Sequence, residues 1–285
     1  MPRKHAVLSV LLWSTVASAF KLSLHYMKPL QLLFYASLTS LIVFGVLYSR
    51  ELSLRKENLR SAYLGLLIFL YYTVLFSAYE ELPAQEAQAL NYTWPLVLVL
   101  LSIPLLGKRP GMRVVTGLFL GFFGAFIVVT RGNLRGLDFS NPAGVALALG
   151  SAVIWATYWI MNLRDERSLI EKMFWNFLFG FAYISAVLAL LGGFTVPPIE
   201  GLAGAAYVGL FEMGVTYLFW HRALEIDMKF ASNLAYLVPF LSLFFISLAV
   251  GERIEPSTVF GLCLIVGGIL LGLPGKSFNG GAAEI

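Results

Sequence analysis

One apolar stretch of the sequence has four residues of the kind that bind small polar molecules, spaced along one side of a helix. Gln88, Asn91, Tyr92 and Pro95 follow the i, i+3, i+4, i+7 pattern and therefore share one helix face. A proline inside a helix removes one backbone hydrogen bond and leaves the carbonyl four residues earlier, here that of Asn91, without its partner. This face offers amides, a phenol and a free carbonyl, which together suit a ligand ammonium group.

A second apolar stretch has a similar arrangement at Tyr236 and Pro239. Pro239 frees the carbonyl of Ala235 in the same way. A structural kink explains either proline equally well when each is considered alone. Because both prolines lie at equivalent places near a tyrosine, we expect the broken backbone to line a cavity, where such backbone is tolerated at membrane depth.

Four tryptophans are expected to line the same cavity. Trp and Tyr side chains that face lipid prefer the membrane interfaces, whereas Trp13, Trp94 and Trp155 lie well inside apolar stretches. Trp159 follows Trp155 at helical spacing on the same stripe. A plain packing surface is the alternative, but the polar neighbours of these tryptophans favour the cavity.

Glu212 is the only formally charged residue near the middle of an apolar stretch. A carboxylate at that depth costs about 2.5–3.5 kcal/mol or more and indicates a functional site by default. It could accept a substrate ammonium group, carry a coupling proton, or be a protonated residue that is hydrogen-bonded within a helix bundle. The sequence identifies no partner for it, so these three roles stay open.

The elements that must position these residues are transmembrane helices. Of the 285 residues, 59% are hydrophobic and 13% are charged, and the mean hydropathy is +0.79. Because soluble domains are about 45–50% apolar and about 25% charged, this composition excludes an ordinary soluble enzyme. The sequence predicts an all-α integral membrane protein with ten spans of about 20 residues each. The spans lie near residues 6–25, 30–49, 61–79, 87–106, 113–130, 142–162, 172–191, 201–221, 230–250 and 257–273.

The positive charges predict the orientation of these spans. With the N-terminus in the cytoplasm, the inner segments hold 15 Lys and Arg residues and the outer segments hold 5, in agreement with the positive-inside rule. Ten spans therefore place both termini in the cytoplasm. A signal peptide cleaved near Ala17-Ser18-Ala19 is the alternative for the first span, but its removal would leave nine spans and break the repeat described next.

The two halves of the chain are related in sequence at an offset of 144 residues. Tyr63-Leu64-Gly65-Leu66 matches Tyr207-Val208-Gly209-Leu210. The same offset pairs Tyr92 with Tyr236, Pro95 with Pro239, Gly117 with Gly261, Gly124 with Gly268 and, without similarity, Ile68 with Glu212. Because five spans per half is an odd number, the second half must be inverted in the membrane. We expect a first repeat at 1–131, a linker at 132–141, an inverted repeat at 142–274 and a disordered tail at 275–285.

Inverted repeats favour a secondary transporter, whose substrate site lies near the midplane of the membrane between halves that rock to alternate access. The alternative is that the duplication only builds a large helical bundle and has no role in transport. The sequence has no Walker loop, dinucleotide fingerprint or His-Glu-x-x-His pattern, and with three His and one Cys a metal site is not expected. We therefore predict a small-molecule substrate and the lipid bilayer as partners, with no ATP, nucleic acid, cofactor or enzymatic activity. A lipid-modifying enzyme would need an interfacial nucleophile and an acid/base pair, which the sequence does not show.

Several of these motifs resemble those of one known family. The openings Leu12-Trp13-Ser14-Thr15 and Ile154-Trp155-Ala156-Thr157, the two mid-span prolines and Gly251-Glu252-Arg253 resemble the EamA-type branch of the drug/metabolite transporter superfamily. Within that branch, Asn91-Tyr92-Thr93-Trp94-Pro95 is similar to the Asn-Tyr-Leu-Trp-Pro motif of the bacterial aromatic amino acid exporters of the YddG type.

The resemblance implies a helical bundle around a central cavity, located in the bacterial inner membrane, that exports amino acids or related metabolites from the cytoplasm without ATP hydrolysis. It assigns seven motif positions to the substrate site: Trp13, Asn91, Tyr92, Trp94, Pro95, Trp155 and Pro239. The sequence departs from the family at Gly107-Lys108-Arg109, where many members have Gly-Glu, and Glu212 matches no family motif. Because aromatic faces also bind cations, a multidrug or quaternary-ammonium exporter on the same fold is the alternative.

Overall fold

The computed structural model describes residues 3–49, 55–107, 110–133, 141–162 and 165–272. All regular secondary structure in these ranges is helical, because a backbone in hydrocarbon must satisfy its own hydrogen bonds. The α-helices are α1 (Lys4–Ser23), α2 (Pro29–Tyr48), α3 (Arg60–Glu81), α4 (Ala84–Asn91), α5 (Trp94–Leu106), α6 (Met112–Val129), α7 (Pro142–Asn162), α8 (Leu169–Leu191), α9 (Ile199–Tyr207), α10 (Val215–Ala235), α11 (Val238–Phe245) and α12 (Pro256–Gly272). A 3₁₀ turn at Lys56–Leu59 and π-helical turns at Val208–Glu212 and Ile246–Val250 complete the set.

The helices account for the ten predicted crossings of the membrane. Within the described ranges, nine helical stretches are long and apolar enough to span a bilayer, and the shorter apolar α12 of 17 residues is the tenth. Helices α4 and α5 together form the fourth crossing, while the eighth covers Ile199–Asp227 and the ninth covers Asn233–Val250. The ten-helix prediction is confirmed.

Helices α6 and α12, which are equivalent in the repeat, pack against each other through glycines. A Cβ atom on Gly117 would lie 2.5 Å from the carbonyl oxygen of Gly268, and one on Gly261 would lie 2.6 Å from that of Gly124. Residue numbers rise along one helix as they fall along the other, so the two helices are antiparallel. Only small residues permit such a close approach in a membrane bundle. Equivalent helices running in opposite directions are what an inverted repeat requires.

Helices of one half pack mainly against those of the other. A Cβ atom on Gly65 of α3 would lie 2.6 Å from the carbonyl oxygen of Asn176 in α8, and Gly209 is similarly close to the carbonyl oxygen of Ala36 in α2. Gly65 and Gly209 are equivalent, and so are the helices that they contact. The two halves therefore interlock around one core rather than folding as separate bundles.

The limits of the two repeats at residues 131 and 142 stay a prediction. Residues 134–140 of the expected linker and the expected disordered tail at 275–285 lie outside the described residues, as do Lys108 and Arg109 of the departing family motif.

Candidate functional site

The fourth and ninth crossings are both interrupted just before their prolines. Helix α4 ends at Asn91, two residues intervene, and α5 begins at Trp94 with Pro95 as its second residue. Helix α10 ends at Ala235 and α11 begins at Val238 with Pro239 in the same place. Proline is well suited to the first turn of a helix because the N–H that it lacks would have no helical partner there. Each crossing thus consists of two half-helices that meet inside the membrane.

One proline-freed carbonyl has a partner from the other half of the molecule. The hydroxyl of Tyr92 donates a hydrogen bond to the carbonyl oxygen of Ala235 at 2.8 Å, and Tyr236 lies close to Tyr92. The expectation that both freed carbonyls are open to a ligand was therefore wrong for Ala235. A bare carbonyl inside the membrane is costly, and the crossing of the two breaks brings a phenol within reach. This bond ties the fourth and ninth crossings together.

The amides of the fourth crossing are held by neighbouring side chains. Asn91 donates from Nδ2 to the hydroxyl oxygen of Ser151 in α7 at 2.9 Å. The hydroxyl of Tyr79 donates to Oε1 of Gln88 at 2.6 Å, and Nε2 of Gln88 donates to the hydroxyl oxygen of Ser242 in α11 at 3.4 Å. Two of these three partners belong to the second half of the chain. The polar face is therefore fixed at the boundary between the repeats.

Three of the four predicted tryptophans lie together in one group of rings. Trp155 stacks on Tyr71, with centroids 4.4 Å apart, and on Tyr158 at 5.1 Å. Trp159 meets the edge of Trp155 at 5.7 Å and stacks with Trp94 at 6.5 Å. We call this group the aromatic cluster; with Tyr72, which adjoins both Tyr71 and Trp155, it consists of Tyr71, Tyr72, Trp94, Trp155, Tyr158 and Trp159.

The aromatic cluster includes one buried hydrogen-bond donor that is free to bind a ligand. The indole N–H of Trp159 is buried and has no hydrogen-bond partner among the described residues. Buried polar groups in folded proteins are nearly always paired, so an orphan of this kind requires an explanation. A ligand oxygen would satisfy this donor.

Trp13 packs against α10 and reaches the cluster through a tyrosine. Its ring meets the edge of Tyr217 at 5.8 Å and lies 5.4 Å from that of Trp220. Tyr217 in turn interacts with the hydroxyl of Tyr72. Trp13 therefore borders the cluster from the side of the eighth crossing.

Glu212 adjoins the aromatic cluster across the boundary between the halves. Its Oε1 accepts a hydrogen bond from the hydroxyl of Tyr72 at 3.3 Å. Glu212 is partly rather than fully buried. Glu212 ends the π-helical turn Val208–Glu212, and π turns occur often at functional sites. The structure thus places a carboxylate, an orphan N–H and stacked rings in one continuous network.

Comparisons with known proteins identify the fold. The model of the EamA-like transporter family matches residues 5–130 and again residues 142–273. The chain belongs to this family. A protein of Ancylobacter novellus named aromatic amino acid exporter YddG is 30% identical over 206 residues, which cover 70% of this chain and 71% of that protein. The protein of the same name from Escherichia coli strain K12 is 23% identical over 93% of this chain and 94% of its own length.

A solved crystal structure supports the same conclusion. It superposes with a TM-score of 0.65 at 25% identity and covers 95% of both chains. The resemblance of the sequence motifs to the EamA-type branch is therefore confirmed, and this EamA-like transporter is an integral membrane exporter with a small-molecule substrate.

The structure adds candidate site residues of this EamA-like transporter that the sequence analysis did not identify. Tyr71 and Tyr72 stand in the middle of α3 and supply a ring beneath Trp155 and a donor for Glu212. A signal for both was present, because tyrosines deep in a span are as unusual as tryptophans there. Tyr217 could have been found by the same argument.

Hydrogen bonds around Gln85 join the two halves at one end of the EamA-like transporter. Glu252 accepts from the backbone N–H of Ala84 at 2.7 Å and of Gln85 at 3.2 Å. The side chain of Gln85 donates to the carbonyl oxygen of Arg253 at 2.9 Å and accepts from the N–H of Glu255 at 2.8 Å. These bonds join the first half to the connection between α11 and α12.

The opposite end is joined by a buried ion pair. Arg167 contacts Asp165 at 2.6 Å and donates to Ser61 at 2.8 Å and to Asn58 at 3.3 Å. Burial acts to raise the pKa of Asp165, but the hydrogen bonds and charge of Arg167 outweigh burial and hold that pKa below its ordinary value. This pair fastens the segment before α8 to the start of α3.

Proposed function

We propose that this EamA-like transporter exports aromatic and other neutral amino acids from the cytoplasm by alternating access. The observation that carries the proposal is the aromatic cluster, which meets the partly exposed Glu212 and an orphan indole N–H at Trp159. An amino acid has a group for each of these: an apolar side chain, an ammonium and a carboxylate. The two relatives named as aromatic amino acid exporters support the same substrate class.

The proposed roles follow from the chemistry of each side chain. The rings of Trp94, Trp155 and Trp159 receive the substrate side chain, since aromatic rings bury large areas and favour stacked or edge contacts with one another. The ammonium group binds Glu212, and the N–H of Trp159 donates to the substrate carboxylate. Asn91 adds an amide at the break of the fourth crossing.

The remaining predicted site residues complete the lining or hold its shape. Tyr92 and Gln88 fix the fourth crossing through Ala235 and Ser242. The others are assigned to the cavity wall, where the two breaks and α1 meet: Trp13, Pro95, Tyr236 and Pro239.

We further propose that the protein lies in the bacterial inner membrane with both termini in the cytoplasm. The excess of 15 inner over 5 outer Lys and Arg residues supports this orientation. Export would require neither ATP nor a nucleic acid partner, because its energy would come from an ion or substrate gradient.

The test is efflux of labelled phenylalanine and threonine from loaded proteoliposomes. Trp155→Ala should reduce phenylalanine efflux by about tenfold or more, since losing an aromatic contact of more than about 1.4 kcal/mol has that effect. Phe119→Ala is the matched control, because the ring of Phe119 in α6 is 75% exposed and is not part of the aromatic cluster. Efflux that is equal in all three proteins would contradict the proposal.

A cation exporter is the second candidate, favoured by the neighbourhood of Glu212 and stacked rings. Aromatic faces and a carboxylate together suit a quaternary ammonium or phosphonium ion. A thermal-shift screen of the purified protein against amino acids and cationic drugs separates the two, because a ligand that binds the folded state stabilises it. Stabilisation and efflux of tetraphenylphosphonium without any amino acid response would replace the first proposal.

A further inference from the structure

We propose that Glu212 is the coupling site of this transporter, where a substrate ammonium group and a proton occupy the same carboxylate in turn. This inference rests on the proposed export of amino acids and adds the ion that drives it. Substrate binding from the cytoplasm would displace the proton of Glu212, and a proton from the outer side would later displace the substrate. Each amino acid leaving the cell would thus be exchanged for an entering proton.

The backbone of the eighth crossing is interrupted next to Glu212, although no proline lies there. The π-helical turn Val208–Glu212 is followed by Met213 and by Gly214, whose φ of −118° and ψ of −112° are not helical, and α10 begins at Val215. Coupling-ion and substrate sites of secondary transporters lie at such discontinuous helices. The interruption therefore marks Glu212 as more than a packing residue.

Neighbouring groups hold this interruption in a defined shape. The hydroxyl of Ser40 in α2 donates to the carbonyl oxygen of Met213 at 2.7 Å. A Cβ atom on Gly214 would lie 2.6 Å from the carbonyl oxygen of Leu210, so the turn requires glycine. Because the freed carbonyl has a donor, the turn is a formed structure that directs Glu212 towards Tyr72 of α3.

The groups around Glu212 leave its charge without a basic partner. The titratable side chains that interact with it are the phenols of Tyr71, Tyr72 and Tyr79 on α3 and of Tyr217 on α10. From α1, α2 and α9, which also pack against the π turn, no titratable group of the described residues interacts with the carboxylate. An ionised carboxylate in hydrocarbon is costly, so a bound cation must neutralise it.

The site supplies coordination for a proton rather than for a metal ion. Divalent cations such as Ca²⁺ take about six to eight oxygen ligands, whereas Glu212 has one side-chain hydrogen-bond partner in the described residues, Tyr72. Among the described residues, no three or more His, Cys, Asp or Glu side chains lie close enough together to hold a metal ion. A phenol can donate to an ionised carboxylate and accept from a protonated one. Tyr72 can therefore hydrogen-bond to Glu212 in both its ionised and its protonated state.

Proton release measures the exchange directly. Phenylalanine added to purified protein in weakly buffered detergent should release protons, reported by a pH indicator, and Glu212→Gln should abolish the release. Glu171→Gln is the matched control, since Glu171 is a carboxylate inside the bundle that stands apart from the site, in the first turn of α8. Glu212→Asp keeps a carboxylate at the site, so its proton release should be reduced but not abolished.

Transport in proteoliposomes gives the second measurement. A pH gradient should drive uphill accumulation of phenylalanine by wild type and Glu171→Gln, and Glu212→Gln should lose this accumulation by about tenfold or more, equivalent to about 1.4 kcal/mol. Thermal unfolding of each variant identifies loss of fold. If Glu212→Gln does not fold, phenylalanine binding to wild type carries the test: the affinity should fall as the pH is lowered, because protons compete for the carboxylate, and an affinity that does not fall would overturn the proposal.

The failure of the coupling proposal is distinguishable from that of amino acid export. If wild type binds and transports phenylalanine without releasing protons, or if Glu212→Gln still accumulates it, coupling at Glu212 is overturned and export stands. If no amino acid binds but tetraphenylphosphonium releases protons only when Glu212 is present, export of amino acids is overturned and coupling at Glu212 stands.

Discussion

The third and eighth crossings are equivalent in the repeat yet differ in construction. Helix α3 runs without interruption from Arg60 to Glu81, whereas the eighth crossing is broken after the π turn that ends at Glu212. Their glycines, Gly65 and Gly209, make the same close contacts with equivalent helices. At the equivalent later position, Ile68 lies near Gly180 of α8, but Glu212 meets Tyr72 of α3.

This difference separates the scaffold from the site. Features that both halves share, such as the close-packed glycines and the paired prolines, build the interlocked bundle. Features present in one half only, such as Glu212 and its broken backbone, supply the charged group of the proposed site. A π turn alters the direction in which the following side chains leave the helix, which accounts for the different neighbour of Glu212.

Ile68→Glu should have the largest effect on stability, and Glu212→Ile is its counterpart in the other half. Ile68→Glu would place a carboxylate in unbroken helix at a position that is 3% exposed, and it should destabilise the fold by about 2.5–3.5 kcal/mol. Glu212→Ile removes a carboxylate from membrane depth and should fold at least as well as wild type. Thermal unfolding in detergent compares them, and a stable Ile68→Glu would show that the broken backbone is not needed to hold a carboxylate.

The shared glycines should give the next largest effect, and an equal one in each half. Gly65→Ala and Gly209→Ala each force a Cβ into a backbone carbonyl, which should cost about 1–3 kcal/mol. Gly150→Ala is the control, because its Cβ would meet Val74 at 3.9 Å, an ordinary contact. Tolerance of one of the two substitutions in thermal unfolding would mean that the scaffold is not shared.

Substitutions at the breaks of the fourth and ninth crossings should have a smaller effect on stability. Tyr92→Phe removes the donor to the carbonyl of Ala235 and should lower the free energy of unfolding by about 1 kcal/mol. Tyr236→Phe is the matched change in the other half and should cost less. The reverse order would show that the bond between Tyr92 and Ala235 does not join the two crossings.

The smallest effect should be the pH dependence of stability contributed by Asp165, which lies outside the spans. Because Arg167 holds the pKa of Asp165 below its ordinary value, the stabilisation is complete above about pH 4, the ordinary value, and is lost only as the pH falls through the lowered pKa. Asp165→Asn should thus carry the same penalty throughout pH 5–8. A penalty that varies within that range would contradict the assignment.

Much of the fold and part of the site could be predicted from the sequence, because their causes are local. Hydropathy along the chain predicts the ten crossings, and Pro95 and Pro239 each stand in the first turn of a new helix, where their missing N–H is tolerated. Depth in the span points to Trp94 and Trp155, and helical spacing adds Trp159; the structure brings the three rings together. Their role in binding remains a prediction.

The sequence by itself determined the membrane-spanning helices, the inverted repeat, the two proline breaks and the unusual depth of Glu212. Only the tertiary structure decided that the hydroxyl of Tyr92 donates to the carbonyl oxygen of Ala235 and that the hydroxyl of Tyr72 donates to Glu212. It also decided that the eighth crossing is broken where no proline lies. The two hydrogen bonds join residues that are 143 and 140 positions apart in the sequence. No local pattern encodes such pairs, since they exist only once the interlocked halves bring distant helices into contact.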